Sequence, residues 1–256
     1  MVTFQQRLGF LMRYLLAKTS FIFSLYFLSA TALASDQKDP WEGWNRNVHA
    51  FNEVMDTYVA RPVAIGYRFI SPRFVRTGVS NFFSNLGEVP TTVNDLLQAK
   101  PGAALRSSGR FVINSTVGIF GLFDVASWLN IEEHREDLGQ TLAVWGVGSG
   151  PYLVIPFLGP STLRDSLSIY PNYQLSLIRY APLTTEETYG VLALDLVHRR
   201  ESLLNKESLI SGDKYVFYRD AYLQSRNYEI NDGEVEDSFD AGFDDDFENI
   251  DFDDDF

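Results

Sequence analysis

The 256-residue sequence contains no cysteine. That absence excludes disulfide bonds, zinc–thiolate sites, cysteine nucleophiles and a lipid-modified cysteine near the N-terminus. Histidine is almost as scarce, because His49, His134 and His198 are the only three and lie far apart, without a metal-ligand spacing such as H-E-x-x-H. His134 lies among acidic residues that have the oxygens to ligate a hard cation, but no loop glycine or calcium-loop pattern accompanies them, so a solvated charged turn is favoured. The sequence therefore predicts no metal and no cofactor.

A basic stripe is also lacking. The formal net charge is −13, but the acidity is concentrated near the C-terminus, where residues 229–256 hold 14 Asp and Glu and no Lys or Arg. The body of the chain is close to neutral, so nucleic acid is not an expected partner. High charge with few apolar residues predicts that 229–256 is a disordered acidic tail. Attraction of a basic partner surface and weak calcium binding remain alternatives to a merely solvated tail.

The N-terminus is typical of a secretory signal peptide spanning residues 1–34. Its basic residues precede a short apolar segment at 21–28 and the small-x-small sequence Ala32-Leu33-Ala34. We expect cleavage between Ala34 and Ser35, which leaves one domain over residues 35–228. An uncleaved anchor is the alternative. The chain is thus predicted to be exported by a bacterium.

The centre of the chain holds two long runs with almost no charge. Phe111–Ile131 has Asp124 as its only charge, and Leu138–Leu163 has none. Such runs indicate a membrane environment or a large core. However, the second run contains five glycines and three prolines, which a spanning helix of about 20 apolar residues does not accommodate easily. Irregular backbone at membrane depth persists only where protein covers it or where it lines a wet cavity, so a cavity is expected here.

No catalytic motif accompanies these runs. Ser149 lies between two glycines but lacks the outer positions of a G-x-S-x-G elbow, and Ser115 has no flanking glycine. Gly146-x-Gly148-x-Gly150 resembles a dinucleotide loop only superficially, because Pro151 follows it and no amphipathic helix does. We therefore expect a non-enzymatic protein with a site for an amphipathic ligand such as a phospholipid.

Candidate site residues come from these runs and their polar borders. Arginine suits a phosphate head group because its planar fork bonds two oxygens at once. A structural ion pair with Asp137 or Asp165 is an equally good explanation of Arg110 and Arg164. The candidate lining of a lipid channel is Arg110, Asn114, Gln140, Thr141, Gly146, Gly148, Gly150, Tyr152, Arg164 and Asp165.

Helical periodicity dominates the rest of the chain, so the predicted fold class is mostly α. Asp39-Pro40-Trp41-Glu42 is expected to cap a helix with an aromatic face, which is suited either to a membrane interface or, slightly preferred, to packing on a core or partner. Arg61-Pro62 is expected to end that helix, and Gly87 to interrupt a later one. Thr184–Glu187 is a capping box before a helix whose Tyr189, Leu192, Leu196, Val197 and Leu203 are predicted to face inward.

Several segments in order resemble the MlaA/VacJ family. The match runs over roughly residues 39–230 and is specific because it rests on many motifs rather than one. It begins with Asp39-Pro40-Trp41-Glu42-Gly43-Trp44-Asn45-Arg46 and closes with Tyr218-Arg219-Asp220-Ala221-Tyr222. Its strongest parts are Gly139-Gln140-Thr141-Leu142, Gly146-Val147-Gly148-Ser149-Gly150-Pro151-Tyr152, Pro156-Phe157 and Thr162-Leu163-Arg164-Asp165.

The resemblance implies a ring of amphipathic helices in the outer membrane of a Gram-negative bacterium, mainly in the inner leaflet, with a central amphipathic channel. It implies association with a trimeric porin and transfer of mislocalised outer-leaflet phospholipid to a periplasmic lipid-carrier protein. The sequence departs from the lipoprotein members because it has no cysteine to acylate. A porin-associated scaffold without transport activity, and a phospholipase, are the alternatives.

Overall fold

The structure is a computed structural model that describes residues 39–207 and 210–234. The predicted signal peptide, with its cleavage site at Ala34 and Ser35, lies outside the described residues. The predicted boundary of the acidic tail falls inside the last helix, because residues 229 and 230 are helical and a turn follows to residue 234. The remainder of the tail lies outside the described residues.

The described chain is mostly α-helical with one short hairpin, which confirms the predicted fold class. The helices are α1 (Glu42–Met55), α2 (Arg61–Ile70), α3 (Arg73–Leu97), α4 (Pro101–Thr116), α5 (Val125–Trp128), α6 (Leu138–Val144), α7 (Leu163–Leu175), α8 (Thr185–Leu203) and α9 (Lys214–Ile230). A π-helical turn spans Asp56–Ala60 and a 3₁₀ turn spans Leu177–Tyr180. The strands β1 (Tyr152–Ile155) and β2 (Gly159–Thr162) pair antiparallel, with Tyr152 opposite Thr162.

The predicted cap of α1 is wrong. The helix begins at Glu42, and Trp41 holds the cap position without a side-chain hydrogen bond. Asp39 instead accepts hydrogen bonds from the Asn45 amide at 2.9 Å and from the Tyr215 hydroxyl. A carboxylate that joins α1 to α9 in this way is no longer available to the first helical N–H groups.

The aromatic face of α1 points outward, so its expected packing on a core is wrong, whereas packing on a partner stays a prediction. Trp41, Trp44, Phe51 and Tyr58 are exposed, and Val48 is buried. The opposite, amide-rich side of the helix lies against the hairpin. The apolar face of α1 is therefore directed away from the protein interior.

Two asparagines on α1 hold the free edge of β1. The side chain of Asn45 donates to the Tyr152 carbonyl at 3.0 Å and accepts from the Val154 N–H at 2.9 Å. Asn52, seven residues later and thus on the same helix face, bonds the Ile155 carbonyl and the Phe157 N–H in the same manner. Because unpaired backbone groups in an interior are costly, these amides replace a third strand.

The chain does not break at Arg61-Pro62, contrary to the sequence prediction. Helix α1 continues through the π-helical turn into α2, where Pro62 occupies one of the first two positions. Proline is tolerated there because the first N–H groups of a helix have no helical partner. The π-helical turn holds one extra residue, because the Arg61 N–H bonds the Asp56 carbonyl five residues earlier. This extra residue accommodates the proline without ending the helix.

Helix α3 is also continuous, so Gly87 does not interrupt it. It runs for 25 residues and includes both Gly87 and Pro90. The helix packs lengthwise against α4, and its buried residues are all polar: Asn85, Glu88, Thr91, Asn94 and Asp95. Tertiary hydrogen bonds along this face outweigh the roughly 1 kcal/mol cost of a helical glycine.

The capping box of α8 is confirmed, but the predicted inward face is wrong for three of its five residues, while Leu192 and Val197 are half-buried. Thr184 and Glu187 make both reciprocal bonds of the box. Tyr189, Leu196 and Leu203 are nonetheless exposed. The buried residue of this helix is Glu201, which pairs with Arg68 and Arg76 of the neighbouring helices α2 and α3.

We expect Asn45→Ala to lower the free energy of unfolding by about 2–4 kcal/mol, because it leaves the Tyr152 carbonyl and the Val154 N–H unpaired in the interior. Chemical denaturation in detergent micelles measures this difference. Asn47→Ala is the matched control, since Asn47 lies on the same helix and is exposed. Equal effects of the two substitutions would contradict the role assigned to Asn45.

Candidate functional site: a polar interior within an apolar exterior

Burial in the described chain is inverted relative to an ordinary soluble domain. Twenty polar or charged residues are buried, against seven apolar ones. The buried apolar cluster is small and consists of Val48, Tyr152, Val154 and Tyr215. Meanwhile large apolar side chains are exposed along α1, α2, α3 and the segment after α4, among them Phe69, Phe74 and Phe120. A surface this rich in apolar groups marks an interaction with apolar surroundings.

No helix among residues 39–207 and 210–234 has both the length and the apolar character needed to cross a bilayer. The exposed apolar residues instead form faces of amphipathic helices.

Arg110 on α4 is the centre of the first buried network. It is 1% exposed and its guanidinium bonds Glu88 of α3 at 2.5 Å and Asp124 at 3.2 Å. Asn114, one helical turn along, donates to Asp124 at 2.9 Å and accepts from the Ala126 N–H at 2.9 Å. This network joins α3, α4 and α5, and it explains Arg110 as a structural ion pair.

The surroundings of the Glu88 carboxyl raise its pKa above the ordinary value. Burial raises its pKa to about 7, and the attraction of Arg110 offsets only part of the increase. Arg110 shares its single charge between Glu88 and Asp124, and the second Glu88 oxygen, Oε2, is buried without a hydrogen-bond partner. The charge of Arg110 therefore offsets only part of the cost of burying the Glu88 carboxylate.

Asp165 on α7 is the centre of the second network. It bonds Arg164 Nε at 3.0 Å, the Tyr222 hydroxyl at 2.7 Å and Arg226 of α9 at 3.2 Å. Arg226 also reaches Asp137 at 2.6 Å, which links the start of α6 to α7 and α9. Burial by itself raises the pKa of Asp165, but Arg226 and the other donors more than offset it and hold that pKa below its ordinary value.

Gly139 is required by this network. A Cβ atom at position 139 would lie under 3.0 Å from both the Asp165 carboxylate and the Arg226 guanidinium. Only glycine lets the first turn of α6 approach the ion pair so closely.

Helix α6 is fixed against α3 by a third set of buried side chains. Thr141 donates to Asn94 at 2.8 Å, and Gln98 donates to Thr141 at 3.1 Å and to Glu136 at 2.7 Å. Gln140 donates to the Arg135 carbonyl at 3.1 Å. These contacts hold the charged bridge 132–137 on the end of α3.

The glycine-rich loop 145–151 connects α6 to β1. Gly146 and Gly150 adopt left-handed backbone with φ of 86° and 65°, which glycine accepts at no steric cost. Gly148 is exposed, and a Cβ atom there would meet nothing within 4 Å. Arg164 supports the loop from behind, donating to the Val147 carbonyl at 3.3 Å.

The predicted site residues thus separate into two groups. Seven are buried and bonded within the protein, so they form the frame of the interior: Arg110, Asn114, Gln140, Thr141, Tyr152, Arg164 and Asp165. The three glycines of the loop lie nearer the surface. A lining role for any of the ten remains a prediction. A separate cleft of about 360 Å³ lies beside α4, lined by Leu105, Arg106, Gly109, Asn130, Ile131 and Glu132.

A Ser–His–Asp group occurs in the interior without the arrangement of a hydrolase. Ser107 is buried and donates to Asp95 at 2.8 Å, while His134 approaches the same carboxylate through Nε2 at 3.0 Å. A catalytic triad places serine and aspartate on opposite nitrogens of the histidine. Here both face one nitrogen, so the group is a buried hydrogen-bonded cluster. Among the described residues no group of three or more His, Asp or Glu is arranged to hold a metal ion.

Sequence reasoning missed most of these interior residues, including Glu88, Asp95 and Arg226. A signal for them exists in the polar residues that recur at steps of three and four along α3, namely Asn81, Asn85, Glu88, Thr91, Asn94, Asp95 and Gln98. Searching for a buried face among apolar residues alone overlooks a polar stripe of this kind.

The chain is similar to proteins of one family over most of its length. The profile of the family described as MlaA lipoprotein matches residues 37–229. A Rickettsia felis protein of uncharacterised function is 39% identical over 196 residues, which cover 75% of this chain and 78% of that protein. The Escherichia coli "Intermembrane phospholipid transport system lipoprotein MlaA" is 37% identical over 207 residues, covering 78% and 81% respectively.

A solved structure described as "Structural basis for maintenance of bacterial outer membrane lipid asymmetry" superposes with a TM-score of 0.68. It is 34% identical in sequence and covers 76% of this chain and 100% of its own. The agreement of sequence and structure extends to the whole helical body.

We expect Glu88→Gln to change how stability depends on pH. The native carboxyl has a pKa of about 7 against 4.5 for the ordinary group. Between those pH values the folded protein keeps a proton on Glu88 that the unfolded chain loses. Wild-type stability therefore falls as the pH rises through that window. The variant cannot titrate, so its Tm relative to wild type should improve between pH 5 and pH 8. Glu186→Gln, at an exposed position, serves as the control; a pH-independent difference would refute the assignment to Glu88.

We expect Gly139→Ala to lower the free energy of unfolding by about 3–5 kcal/mol, because the added methyl group separates a buried ion pair. Thermal unfolding in micelles measures the loss. Gly190→Ala is the control, since Gly190 is exposed in the middle of α8 with open space around it, and there alanine should be neutral or stabilising. An unchanged Tm of the Gly139 variant would contradict this expectation, because it would show that the ion pair between Asp165 and Arg226 tolerates separation.

Proposed function

We propose that this chain, which belongs to the MlaA family, removes mislocalised phospholipids from the outer leaflet of the outer membrane. It passes them through a channel in the protein to a periplasmic lipid carrier. Its named relatives are components of an intermembrane phospholipid transport system. The protein acts as a conduit and not as an enzyme.

The inverted burial pattern is the observation that carries this proposal. A phospholipid has apolar tails and a charged head group, and moving the head group through hydrocarbon is the costly step. A protein with an apolar exterior and a hydrogen-bonded polar interior matches both parts: the exterior contacts the acyl chains of the bilayer, and the interior supplies a polar path. This polar path lowers the cost of desolvating the head group, and transport requires no covalent bond to be made or broken.

The position in the membrane follows from the same residues. Helices too short or too polar to span a bilayer lie along it, with their exposed apolar faces in the inner leaflet. The sequence has no cysteine, so membrane attachment comes from these faces and not from an acyl chain. A single acyl chain confers only marginal binding, which a belt of exposed apolar side chains surpasses.

The glycine-rich loop 145–151 forms the lipid-facing part of the channel in this proposal. Its support comes from the exposed, uncharged backbone around Gly148, which has open space beside it, and from Arg164, which donates to the Val147 carbonyl from the interior. The frame residues Arg110, Asn114, Gln140, Thr141, Tyr152 and Asp165 keep the channel wall rigid behind it.

The partners are those implied by the family resemblance. A trimeric porin associates with the ring, and a soluble periplasmic carrier accepts the lipid. The sequence contains no nucleotide-binding P-loop, so the direction of transport is set by these partners or by the lipid imbalance between leaflets.

We expect Gly148→Trp to abolish most lipid transfer while leaving the fold intact. The position is open, its backbone does not require glycine, and a bulky ring there narrows the path. The measurement is transfer of labelled phospholipid from vesicles that contain the protein to purified apo-carrier, with Tm as the check on folding. Gly190→Trp on the exposed side of α8 is the matched control.

Four outcomes of this experiment are informative. Wild-type transfer with loss only in the Gly148 variant supports a conduit through the loop. Transfer by both variants at the wild-type rate removes the loop from the path. No transfer by wild type, with normal porin association, favours a scaffold, and release of free fatty acid or lysophospholipid favours a phospholipase.

A further inference from the structure

A compact apolar turn joins α4 to α5 and leaves its large apolar side chains exposed. It comprises residues 117–123, with the sequence Val-Gly-Ile-Phe-Gly-Leu-Phe. Five apolar side chains point outward, with Phe120 77% and Ile119 55% exposed: Val117, Ile119, Phe120, Leu122 and Phe123. A soluble loop of this length normally exposes polar residues and hides apolar ones.

The backbone of the turn is held in an unfavourable conformation. Ile119 and Phe120 are consecutive residues with positive φ, 54° and 56°. For a β-branched residue such as isoleucine a left-handed backbone is a marked outlier. Neither side chain gains burial in return, so the strain directs two large apolar groups outward. Strain of this kind persists only where the surroundings over-determine it, and it clusters at functional positions.

The surroundings do over-determine this turn. Gly118 and Gly121 have no room for a Cβ atom, the former against the Asn114 backbone and the latter against the Asn85 side chain. The Asn81 amide donates to the Leu122 carbonyl at 3.0 Å. The turn is therefore a rigid projection of fixed shape.

Six of the seven backbone N–H groups of the turn are paired within the protein. The N–H groups of Val117 and Gly118 bond the Ile113 carbonyl, those of Phe120 and Gly121 bond carbonyls of α4, and those of Leu122 and Phe123 bond carbonyls of the turn itself. Pairing of these groups within the protein lowers the cost of placing the turn in hydrocarbon.

The charges near the turn indicate whether lipid or a protein surrounds its exposed side chains. No residue from Phe111 to Phe123 is charged. Asp124, the first charge beyond the turn, is directed inward to Arg110, Asn114 and Ser127. A protein partner is normally met by polar side chains that form hydrogen bonds, whereas every side chain of residues 117–123 is apolar. Trp128, one helical turn further, is exposed as expected for the membrane–water interface.

We propose that residues 117–123 insert into the acyl-chain layer of the bilayer and anchor this cysteine-free protein there. The projection acts as a rigid wedge in place of an acyl chain attached to a cysteine. This inference rests on the proposed function for the presence of a membrane, and it adds which segment enters the membrane most deeply.

The absence of cysteine permits a direct test. Single-cysteine variants of the full-length protein, reconstituted in phospholipid vesicles, carry one environment-sensitive fluorophore each. The positions are Phe120→Cys, Phe74→Cys and Glu186→Cys; Phe74 on α3 has the same 77% exposure as Phe120, and Glu186 is an exposed polar position on α8. Lipids brominated at different depths of the acyl chain report how deep each probe lies.

We expect the probe at 120 to be quenched best by deeply brominated lipids, more deeply than the probe at 74, with the probe at 186 unquenched. A probe at 120 that stays in water while the probe at 74 is embedded overturns the anchor and leaves the proposed function intact. If neither enters the bilayer, the membrane location in the proposed function fails as well. Shielding of position 120 only after porin is added identifies a protein contact and also overturns the anchor.

A second variant separates insertion from folding. Phe120→Ser should lower the vesicle partition coefficient by about tenfold or more, from the loss of one inserted aromatic side chain. Its Tm in detergent should match wild type, because Phe120 is exposed in the folded protein. Unchanged partitioning with an unchanged Tm would overturn the anchor independently of the fluorescence.

Discussion

The cost of burying a polar group without a partner governs this structure. Twenty polar or charged residues are buried among the described residues, and their hydrogen bonds, rather than apolar contacts, determine how the helices meet. Asp165 and Arg226 join three helices, Arg110 joins three more, and Asn45 and Asn52 complete the edge of the hairpin. Buried ion pairs add little net stability over apolar packing but are costly to break, so they specify one arrangement of helices.

Because polar residues fill the interior, the large apolar side chains lie on the outside of the protein. In water such a surface would associate with other molecules, whereas in hydrocarbon it is solvated by the acyl chains and the polar interior becomes the unusual feature. The same division of residues supports both the location and the activity proposed for the protein. The strained turn at 117–123 is the extreme case, because its backbone is paired inwardly and its side chains face outward.

Much of the fold was predictable from local patterns. The α class and the box at Thr184 and Glu187 both appear as expected, since each depends on neighbouring residues. The errors arose where distant residues decide. Pro62 and Gly87 carry local signals for a break, and tertiary contacts and a π-helical turn overcome both. The face of α8 was assigned by assuming that apolar residues face the interior, and here the interior takes Glu201 instead.

The sequence by itself determined the family, the export signal as a prediction, the absence of cysteine and the two nearly uncharged runs Phe111–Ile131 and Leu138–Leu163. These follow from composition, motifs and order along the chain. Only the tertiary structure decided that Arg110, Arg164 and Asp165 are bonded inside the protein, that Glu88 and Arg226 are their partners, and that the aromatic face of α1 points outward. The physical reason is that the partner of a buried charge lies far away in sequence, and which side of a helix is buried depends on whether the surroundings are water or lipid.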